Sequence, residues 1–376
     1  MRIGIDAREI KNPDTGTGMY VVNLIRSISL LNTFDNFILF VNKGSKIDIQ
    51  LPENFEYYEI KSLKLSKIED QVIIPFAILK SRVDIFHVIH HDVTPLLTLK
   101  PIVVTVLDIA WIDFPGTSSK LFQFYYKYLT KFALIKAKRV ITISESTKQK
   151  VLKHFPYIHN KIQAIPIACD ISYSNFENTD IFEQIANEFQ IKKPYVLYVG
   201  SFAMRKNVNM LFEAMKHVWK DNSSIQLVLA GKPSGKDDFS VEEVCSQYPV
   251  ILISRTKTKI ELKNLYINAS VFVFPSLYEG FGLPVLEAMT CGCPIIALNT
   301  TSIPEIVGNT GTLLESDDIE GMAISIKSHF NSEIDKNERE ESRLDQAKKF
   351  TWEKVAEHTF KNYQKANSKD NFPDFI

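Results

Sequence analysis

Short apolar, β-branched runs alternate with helically spaced segments along most of this chain, and that alternation limits the fold more than any other feature. The runs are Arg2–Asp6, Phe37–Val41, Ile85–Val88, Ile102–Val106 and Arg139–Ile143, followed by Tyr195–Val199, Ile225–Ala230, Val250–Ile253, Val271–Phe274 and Pro294–Ala297. A strand that is apolar on both faces is buried on both faces, the situation inside a parallel sheet. Segments of helical period such as Val21–Leu31, Leu121–Lys136 and Asn209–Lys220 lie between them. Parallel neighbours need right-handed crossovers, and helices supply these. The expectation is an α/β protein built from Rossmann-like parallel sheets.

At 376 residues the chain is long enough for two domains of roughly 100–200 residues each. The alternation lapses between Cys169 and Lys193, a polar stretch rich in Asn and Asp, and a fresh strand opens after Pro194. That seam separates an N-terminal domain, residues 1–170, from a C-terminal domain, residues 190–350. Residues 351–376 are left as a closing helical segment. Asp317–Lys349 is helical and so charged that most of it reads as a solvated face.

Hydrophobic residues make up 45% of the chain and charged residues 23%, which excludes disorder, collagen-like repeats and coiled coil. Lys plus Arg and Asp plus Glu both number 44, so the net charge is zero. The basic excess of a phosphate-neutralising nucleic-acid binder is missing, and no nucleic-acid partner is expected. The four cysteines, Cys169, Cys245, Cys291 and Cys293, include no C-x-x-C pair. They make neither a disulfide scaffold nor a zinc ribbon, and Cys291 and Cys293 read as small buried residues near a helix end. MRIGIDAREI is a charged strand rather than a signal peptide, and no run of about 18 apolar residues occurs. The expected location is the cytoplasm.

Ligands of open parallel sheets bind beyond the carboxyl ends of the strands. After the first strand comes Thr15-Gly16-Thr17-Gly18, opening a helix. Glycines let a ligand approach the backbone, and a helix start favours an anion, although a plain tight turn has the same look. After Tyr195–Val199 come Gly200 and then Arg205-Lys206. Such a pair suits a diphosphate, and it also suits a solvated turn before a helix. Gly231-Lys232-Pro233-Ser234-Gly235-Lys236 falls one residue short of a P-loop between its glycines, and Asp237 stands where Ser or Thr is needed, so it reads as a turn.

The most informative segment is VFVFPSLYEGFGLPVLEAMTCGCPIIA, Val271 to Ala297. A buried strand ends at Pro275, and the loop Glu279-Gly280-Phe281-Gly282 leads into a helix with Pro284 in its first turn. Free amides at the helix start can take a diphosphate. Glu279 and Glu287 can accept hydrogen bonds from sugar and ribose hydroxyls.

This segment resembles the E-x7-E region of the retaining GT-B glycosyltransferases known as family 4, and the resemblance covers nearly the whole chain. GTGMYVVNL resembles the family's first loop and helix, and VGSFAMRKNVNMLFEAM its diphosphate loop. VITISESTKQKVLKHF with IPIACD resembles the end of its acceptor domain. FTWEKVAEHTFKNY resembles its closing helix, which usually crosses back to the N-terminal domain. The resemblance implies a GT-B architecture, two Rossmann-like domains facing across a cleft, and transfer of a hexose from a nucleotide-diphosphate sugar to a glycan or lipid-linked acceptor. It implies that Glu287 holds the donor ribose, that Glu279 lies near the donor hexose and contributes to catalysis, and that Lys206, beside Arg205, meets the diphosphate. Gly16 or Gly18 would face the donor phosphate. Gly280 lies in the donor loop, and the amides of Phe281, Gly282 and Leu283 would contact the donor. No Asp-x-Asp metal motif occurs, and the only close acidic pair in a plausible loop is Asp237-Asp238. The implied enzyme uses no metal or cofactor.

Two positions depart from the family pattern. Ser201 stands where an Arg is frequent, and Leu107 stands where a His near the donor sugar is expected. Leucine offers no hydrogen bond. Asp108 beside it is kept and becomes a candidate catalytic residue. His87, His90, His91 and Asp92 at the end of the preceding strand are candidates to replace the missing imidazole. The loop Ser254-Arg255-Thr256 is the candidate for facing the base.

The stretch Lys120 to Lys161 carries ten basic residues against one acid, Glu145, and its first part is crowded with aromatics including Phe122, Phe124, Tyr125, Tyr126, Tyr128 and Phe132. A basic aromatic helix suits a lipid-linked acceptor or peripheral contact with an anionic membrane. A core helix with solvated lysines is the competing reading. Two other functions remain open: a catalytically silent member acting as a binding partner, and a sugar-nucleotide epimerase.

Overall fold

The computed structural model describes residues 1–13, 15–31, 33–60, 69–90, 94–113, 120–170, 179–232, 241–254, 258–331 and 336–368. His91, Asp92, Gly235, Lys236, Asp237, Asp238, Arg255 and Thr256 lie outside these. The chain divides into two compact units, Met1–Ile167 with Thr351–Ile376, and Ala168–Phe350.

Unit 1 contains a seven-stranded sheet of β1 (Arg2–Asp6), β2 (Asn36–Asn42), β3 (Phe55–Ile60), β4 (Ile85–Val88), β5 (Ile102–Val106), β6 (Arg139–Thr142) and β7 (Ile162–Ala164). Their spatial order is β3-β2-β1-β4-β5-β6-β7, and every pairing is parallel. Three strands match their expected bounds, because a largely apolar run such as Ile102–Val106 is buried at all five positions. Phe86, Val88, Ile102, Val104, Val106 and Val140 face one side of the sheet. They form a common core with Ile74, Ala77 and Ile78 of the Ile74–Ser81 helix and with Leu134 of the Lys120–Lys136 helix. The Trp352–Asn367 helix packs against the Gly16–Ile28 helix and touches β4, β5 and β6.

Unit 2 contains a six-stranded sheet, again all parallel, of β8 (Tyr195–Val199), β9 (Gln226–Ala230), β10 (Val250–Ile253), β11 (Val271–Phe274), β12 (Ile295–Leu298) and β13 (Thr312–Leu314). The order is β10-β9-β8-β11-β12-β13. Residues Ala168 to Phe350 belong to this unit, where the Thr179–Phe189 helix packs on the Lys259–Asn268 helix. The charged segment Asp317–Lys349 is only partly a solvated face. Met322, Ala323 and Ile326 are buried, and the buried Arg343 guanidinium donates twice to the Gly292 carbonyl.

Each strand order has one point where successive connections turn in opposite directions. It lies between β1 and β4 in unit 1 and between β8 and β11 in unit 2. Loops leaving the carboxyl ends of those strand pairs diverge and leave a crevice, the usual ligand position in such sheets. Lys206 follows β8 and Glu279 follows β11, so both belong to the crevice of unit 2.

Candidate functional site

In unit 2 the chain leaves β8 through Gly200, a positive-φ residue (147°). A Cβ built on the neighbouring Gly231 would lie 1.8 Å from the Gly200 carbonyl oxygen, so the loops after β8 and β9 pack backbone to backbone. A single 3-10 turn, Met204–Lys206, ends at the left-handed Asn207 and starts the Val208–Asp221 helix. The turn is held by the loop after β11. The Leu277 amide donates to the Arg205 carbonyl at 2.8 Å, and Arg205 Nη1 donates to the Tyr278 carbonyl at 3.0 Å.

The Lys206 ammonium pairs with Glu279 Oε1, and both side chains are buried. It also sits 5.2 Å from the centroid of the Phe274 ring. Ser276 Oγ donates to the same carboxylate oxygen at 2.6 Å, and Arg205 Nη1 lies 3.6 Å from Glu279 Oε2. Arg205, Lys206 and Glu279 therefore form one cluster across the crevice between β8 and β11. The sequence reading assigns Lys206 to a diphosphate and Glu279 to a sugar; the structure places the two against each other.

The loop after β12 supports this cluster, a contribution that motif reading missed. The Glu279 amide donates to Thr301 Oγ1 at 3.1 Å, and Thr300 Oγ1 donates to the Ser276 carbonyl at 2.8 Å. Ser302 Oγ lies within hydrogen-bond reach of the Glu279 and Phe281 carbonyls. These hydroxyls follow a buried strand directly, and that position was the available signal.

Gly280 and Phe281 continue the loop, and Phe281 is buried edge-on against Phe350 at 5.7 Å. Gly282, at φ 112°, is the N-cap of the Leu283–Thr290 helix. A Cβ there would approach the Ile303 side chain to 2.6 Å, so glycine is needed for conformation and for space. Its helix carries Glu287, whose Oε2 accepts from the Tyr266 hydroxyl at 3.0 Å. Cys291 caps the helix end, and Cys293 is buried beyond it. Burial pushes the Cys169 and Cys293 thiols up to about 12, which keeps them protonated and unreactive.

Gly16, Gly18 and Asp108 belong to unit 1. Thr15 caps the first helix by accepting from the Gly18 amide at 3.1 Å. Space separates the two glycines. A Cβ on Gly18 would lie 1.9 Å from the Asn12 carbonyl oxygen, whereas nothing lies within 4 Å of one on Gly16. Gly18 is thus fixed by packing, and Gly16 is the glycine with an open face. Asp6 and Asp70 enclose Arg8, with contacts of 2.7 Å and 2.8 Å. Burial opposes the Arg8 charge, but the two carboxylates raise its pKa overall.

Leu107 is buried at the end of β5. Asp108 Oδ1 accepts from the Ala110 amide at 3.0 Å and so turns the chain into the following helical turn. His87 does not replace the missing imidazole. It lies inside unit 1, with Nδ1 2.7 Å from the Tyr363 hydroxyl and Nε2 2.8 Å from Thr105 Oγ1. Burial lowers its pKa to about 3 despite the nearby Asp6 carboxylate. His90 remains half-buried at the end of β4.

Two all-parallel Rossmann-like sheets, the second with a cation–carboxylate cluster at its crevice, are the building blocks of the GT-B fold. Residues 180–349 match the family model of glycosyl transferases group 1. The second unit therefore contains a group 1 glycosyltransferase domain, and the protein is a glycosyltransferase. The chain is 26% identical to O-antigen chain mannosyltransferase B of Escherichia coli over 382 aligned residues, covering 97% of this chain and 100% of that protein. Among solved structures it resembles WaaG, a glycosyltransferase involved in lipopolysaccharide biosynthesis, with a TM-score of 0.69, 15% identity and coverage of 96% and 98%. It also resembles the Anabaena HepE protein in complex with UDP-glucose, with a TM-score of 0.73, 14% identity and coverage of 97% and 99%.

Proposed function

We propose that this glycosyltransferase moves a hexose, with mannose the first candidate, from a nucleotide-diphosphate sugar to a glycan or lipid-linked acceptor in surface polysaccharide synthesis. Transfer retains anomeric configuration and uses no metal. The observation that carries this reading is the cluster of Arg205, Lys206 and Glu279 beside the start of the Leu283–Thr290 helix. As the bond to the anomeric carbon breaks, charge builds on the departing diphosphate. Arg205, Lys206 and the amides of Gly282 and Leu283 neutralise it, and the site pays no reorganisation when they are already in place. Glu279 holds the ammonium in position and accepts from the hexose hydroxyls. Glu287 accepts from the ribose. Gly16 offers its open backbone face to the donor phosphate, and Asp108 acts near the reacting sugar. The acceptor docks on unit 1, whose basic aromatic segment from Lys120 to Lys161 contacts an anionic membrane.

The mannosyltransferase relative supports mannose, and the absence of an Asp-x-Asp motif supports metal independence. The test is transfer from a panel of nucleotide sugars in EDTA, with the anomer of the product read by NMR. An α-linked product from an α-linked donor is expected. Activity that appears only with added magnesium or manganese, or an inverted product, overturns the corresponding part. Leu107 favours a second reading, a silent member that binds donor without transferring it, and donor binding with no turnover on any sugar would support that reading.

A further inference from the structure

We propose that Ser276 and Thr301 are positioning residues for Glu279, and that together they leave one carboxylate oxygen, Oε2, to receive the donor hexose. This assignment rests on the role proposed above for Glu279 and deepens it. It names the atom that meets the sugar and the two hydroxyls that aim it. Neither hydroxyl contacts the donor; each acts through Glu279.

β11 and β12 are parallel neighbours, so the loops leaving their carboxyl ends start side by side. Three successive hydroxyls of the second loop hold the first. Thr300 Oγ1 donates to the Ser276 carbonyl at 2.8 Å, the Glu279 amide donates to Thr301 Oγ1 at 3.1 Å, and Ser302 Oγ reaches the Glu279 carbonyl at 3.2 Å. The backbone of Glu279 is therefore tied at its amide and at its carbonyl. Thr301 stands at a φ of 47°, in the left-handed region that a β-branched residue rarely enters. Such conformations persist only where the surroundings impose them, and they gather at functional sites. Glycine would make this turn with less strain, but it would leave the Glu279 amide without its hydroxyl acceptor.

The carboxylate is divided between two tasks. Ser276 is fully buried, and its Oγ lies 2.6 Å from Glu279 Oε1, 3.2 Å from the Tyr278 carbonyl and 3.3 Å from the Arg205 carbonyl. The hydroxyl has one proton, and the nearest acceptor, which is also the charged one, takes it. Oε1 accepts from the Lys206 ammonium as well, so two donors hold that oxygen. Oε2 differs. Arg205 Nη1 lies 3.6 Å from it, beyond hydrogen-bond distance, and that nitrogen donates to the Tyr278 carbonyl instead. Among the described residues no hydrogen bond reaches Oε2. A hexose hydroxyl supplies the missing donor. With Oε1 gripped by Lys206 and Ser276, the carboxylate cannot swing its free oxygen away from the sugar, which is the kind of fixed aim that catalysis requires.

The experiment compares Ser276→Ala, Thr301→Val and Thr301→Ser with wild type in the full chain. Calorimetry reads the binding of GDP, UDP and ADP and of GDP-mannose, UDP-glucose and ADP-glucose, and turnover is measured with whichever donor binds. Ser276→Ala and Thr301→Val should each lower kcat roughly 10- to 100-fold, the scale on which a misaimed reacting group acts. Affinity for the nucleoside diphosphate should stay within about twofold and KM should move less than kcat, because Oε2 faces the hexose. Thr301→Ser keeps the hydroxyl and should recover most of the rate lost in Thr301→Val. On a Glu279→Gln background neither Ser276→Ala nor Thr301→Val should cost much more, since both act through that carboxylate. If wild type binds donor without turning it over, the readout is the affinity gained from nucleoside diphosphate to nucleotide sugar, and the two variants should erase that gain. Unchanged kcat or an unchanged gain in both variants overturns the proposal. So does an equal loss with and without Glu279, or a loss of nucleoside diphosphate affinity as large as the loss in kcat, because the hydroxyls would then only hold the fold. A wild type that binds none of the six ligands is a separate failure, which removes the donor reading of unit 2 and this assignment with it.

Discussion

The ammonium of Lys206 and the carboxylate of Glu279 are paired although 73 residues separate them, and the two side chains are only 9% and 10% exposed. The pair joins the loops after β8 and β11, the two strands that flank the crevice of unit 2. A buried ion pair adds little net stability on its own, and losing one member leaves the other charge stranded. Single and double variants of the pair should therefore behave differently.

Lys206→Met should destabilise the fold by about 3 kcal/mol, the lower end of the range for a broken buried pair, because Ser276 and Arg205 still reach the carboxylate. Adding Glu279→Gln should restore most of the lost thermal midpoint. Turnover should remain about 10²-fold low in the double variant, since the cation for the developing diphosphate charge is gone. A double variant with wild-type turnover would make the pair a purely structural device.

Glu287 tests the ribose contact separately. Its Oε2 accepts from the buried Tyr266 hydroxyl, which orients the carboxylate from behind. Hydrogen bonds to a charged group are worth about 1.5–3 kcal/mol, so Glu287→Ala should weaken nucleoside diphosphate binding on the order of 10- to 100-fold. Tyr266→Phe should have a smaller effect in the same direction. Calorimetry showing unchanged affinity in Glu287→Ala would remove the residue from the donor site.

Most of the fold was legible because central parallel strands are apolar on both faces. The three strands left unread, Phe55–Ile60, Ile162–Ala164 and Thr312–Leu314, are all sheet edges. An edge strand pairs on one side only and tolerates exposed polar positions, as Glu56 and Glu59 show, so the apolar run that marks a central strand is broken there. At the site, Arg205, Lys206, Glu279 and Glu287 were singled out by their places after strand ends and by the family resemblance. Their mutual pairing was not, because it depends on which strands become neighbours. Thr300, Thr301 and Ser302 were missed for the related reason that lone hydroxyls carry no motif. His87 shows the opposite error. Three histidines in five residues suggested chemistry, but the alternation of β4 turns this ring into the core.

That burial sets a pH prediction. His87 is neutral when folded, its pKa lowered by burial to about 3 against an ordinary value of 6.5. The unfolded chain takes up a proton near 6.5 and the folded chain does not until about 3. The stability contribution is therefore full above 6.5 and lost as pH falls from there toward 3. Between pH 7 and pH 5 this costs about 2 kcal/mol. Urea unfolding at the two pH values should show that loss in wild type and a loss smaller by about that amount in His87→Gln. Equal losses in the two proteins would mean that the ring is already charged inside the fold.

The last prediction concerns Leu107 and Asp108, where the chain departs from and keeps the family pattern side by side. Leu107 is buried and its side chain has no polar atom, so any polar side-chain contact to the donor hexose from this loop must come from its neighbours. Asp108 already has a structural task, since its Oδ1 accepts from the Ala110 amide. Asp108→Ala would remove turn and charge together and could not distinguish them. Asp108→Asn keeps an oxygen for the Ala110 amide, because asparagine makes the same kind of turn, and removes only the charge. If the carboxylate acts mainly in the transition state, Asp108→Asn should lower kcat by about 10²–10³ while donor affinity barely changes. If it only turns the chain, Asp108→Asn should stay active and Asp108→Ala should lose thermal stability. Leu107→His gives the complementary reading. In an enzyme that has moved the imidazole's work to Asp108 or His90, it should change the rate little and should rescue part of the loss in Asp108→Asn. In a silent protein it should create transfer or donor hydrolysis where wild type has none. Silence in Leu107→His, together with full activity in Asp108→Asn and His90→Ala, would take the end of β5 out of the chemistry and leave the cations and helix start of unit 2 to carry it.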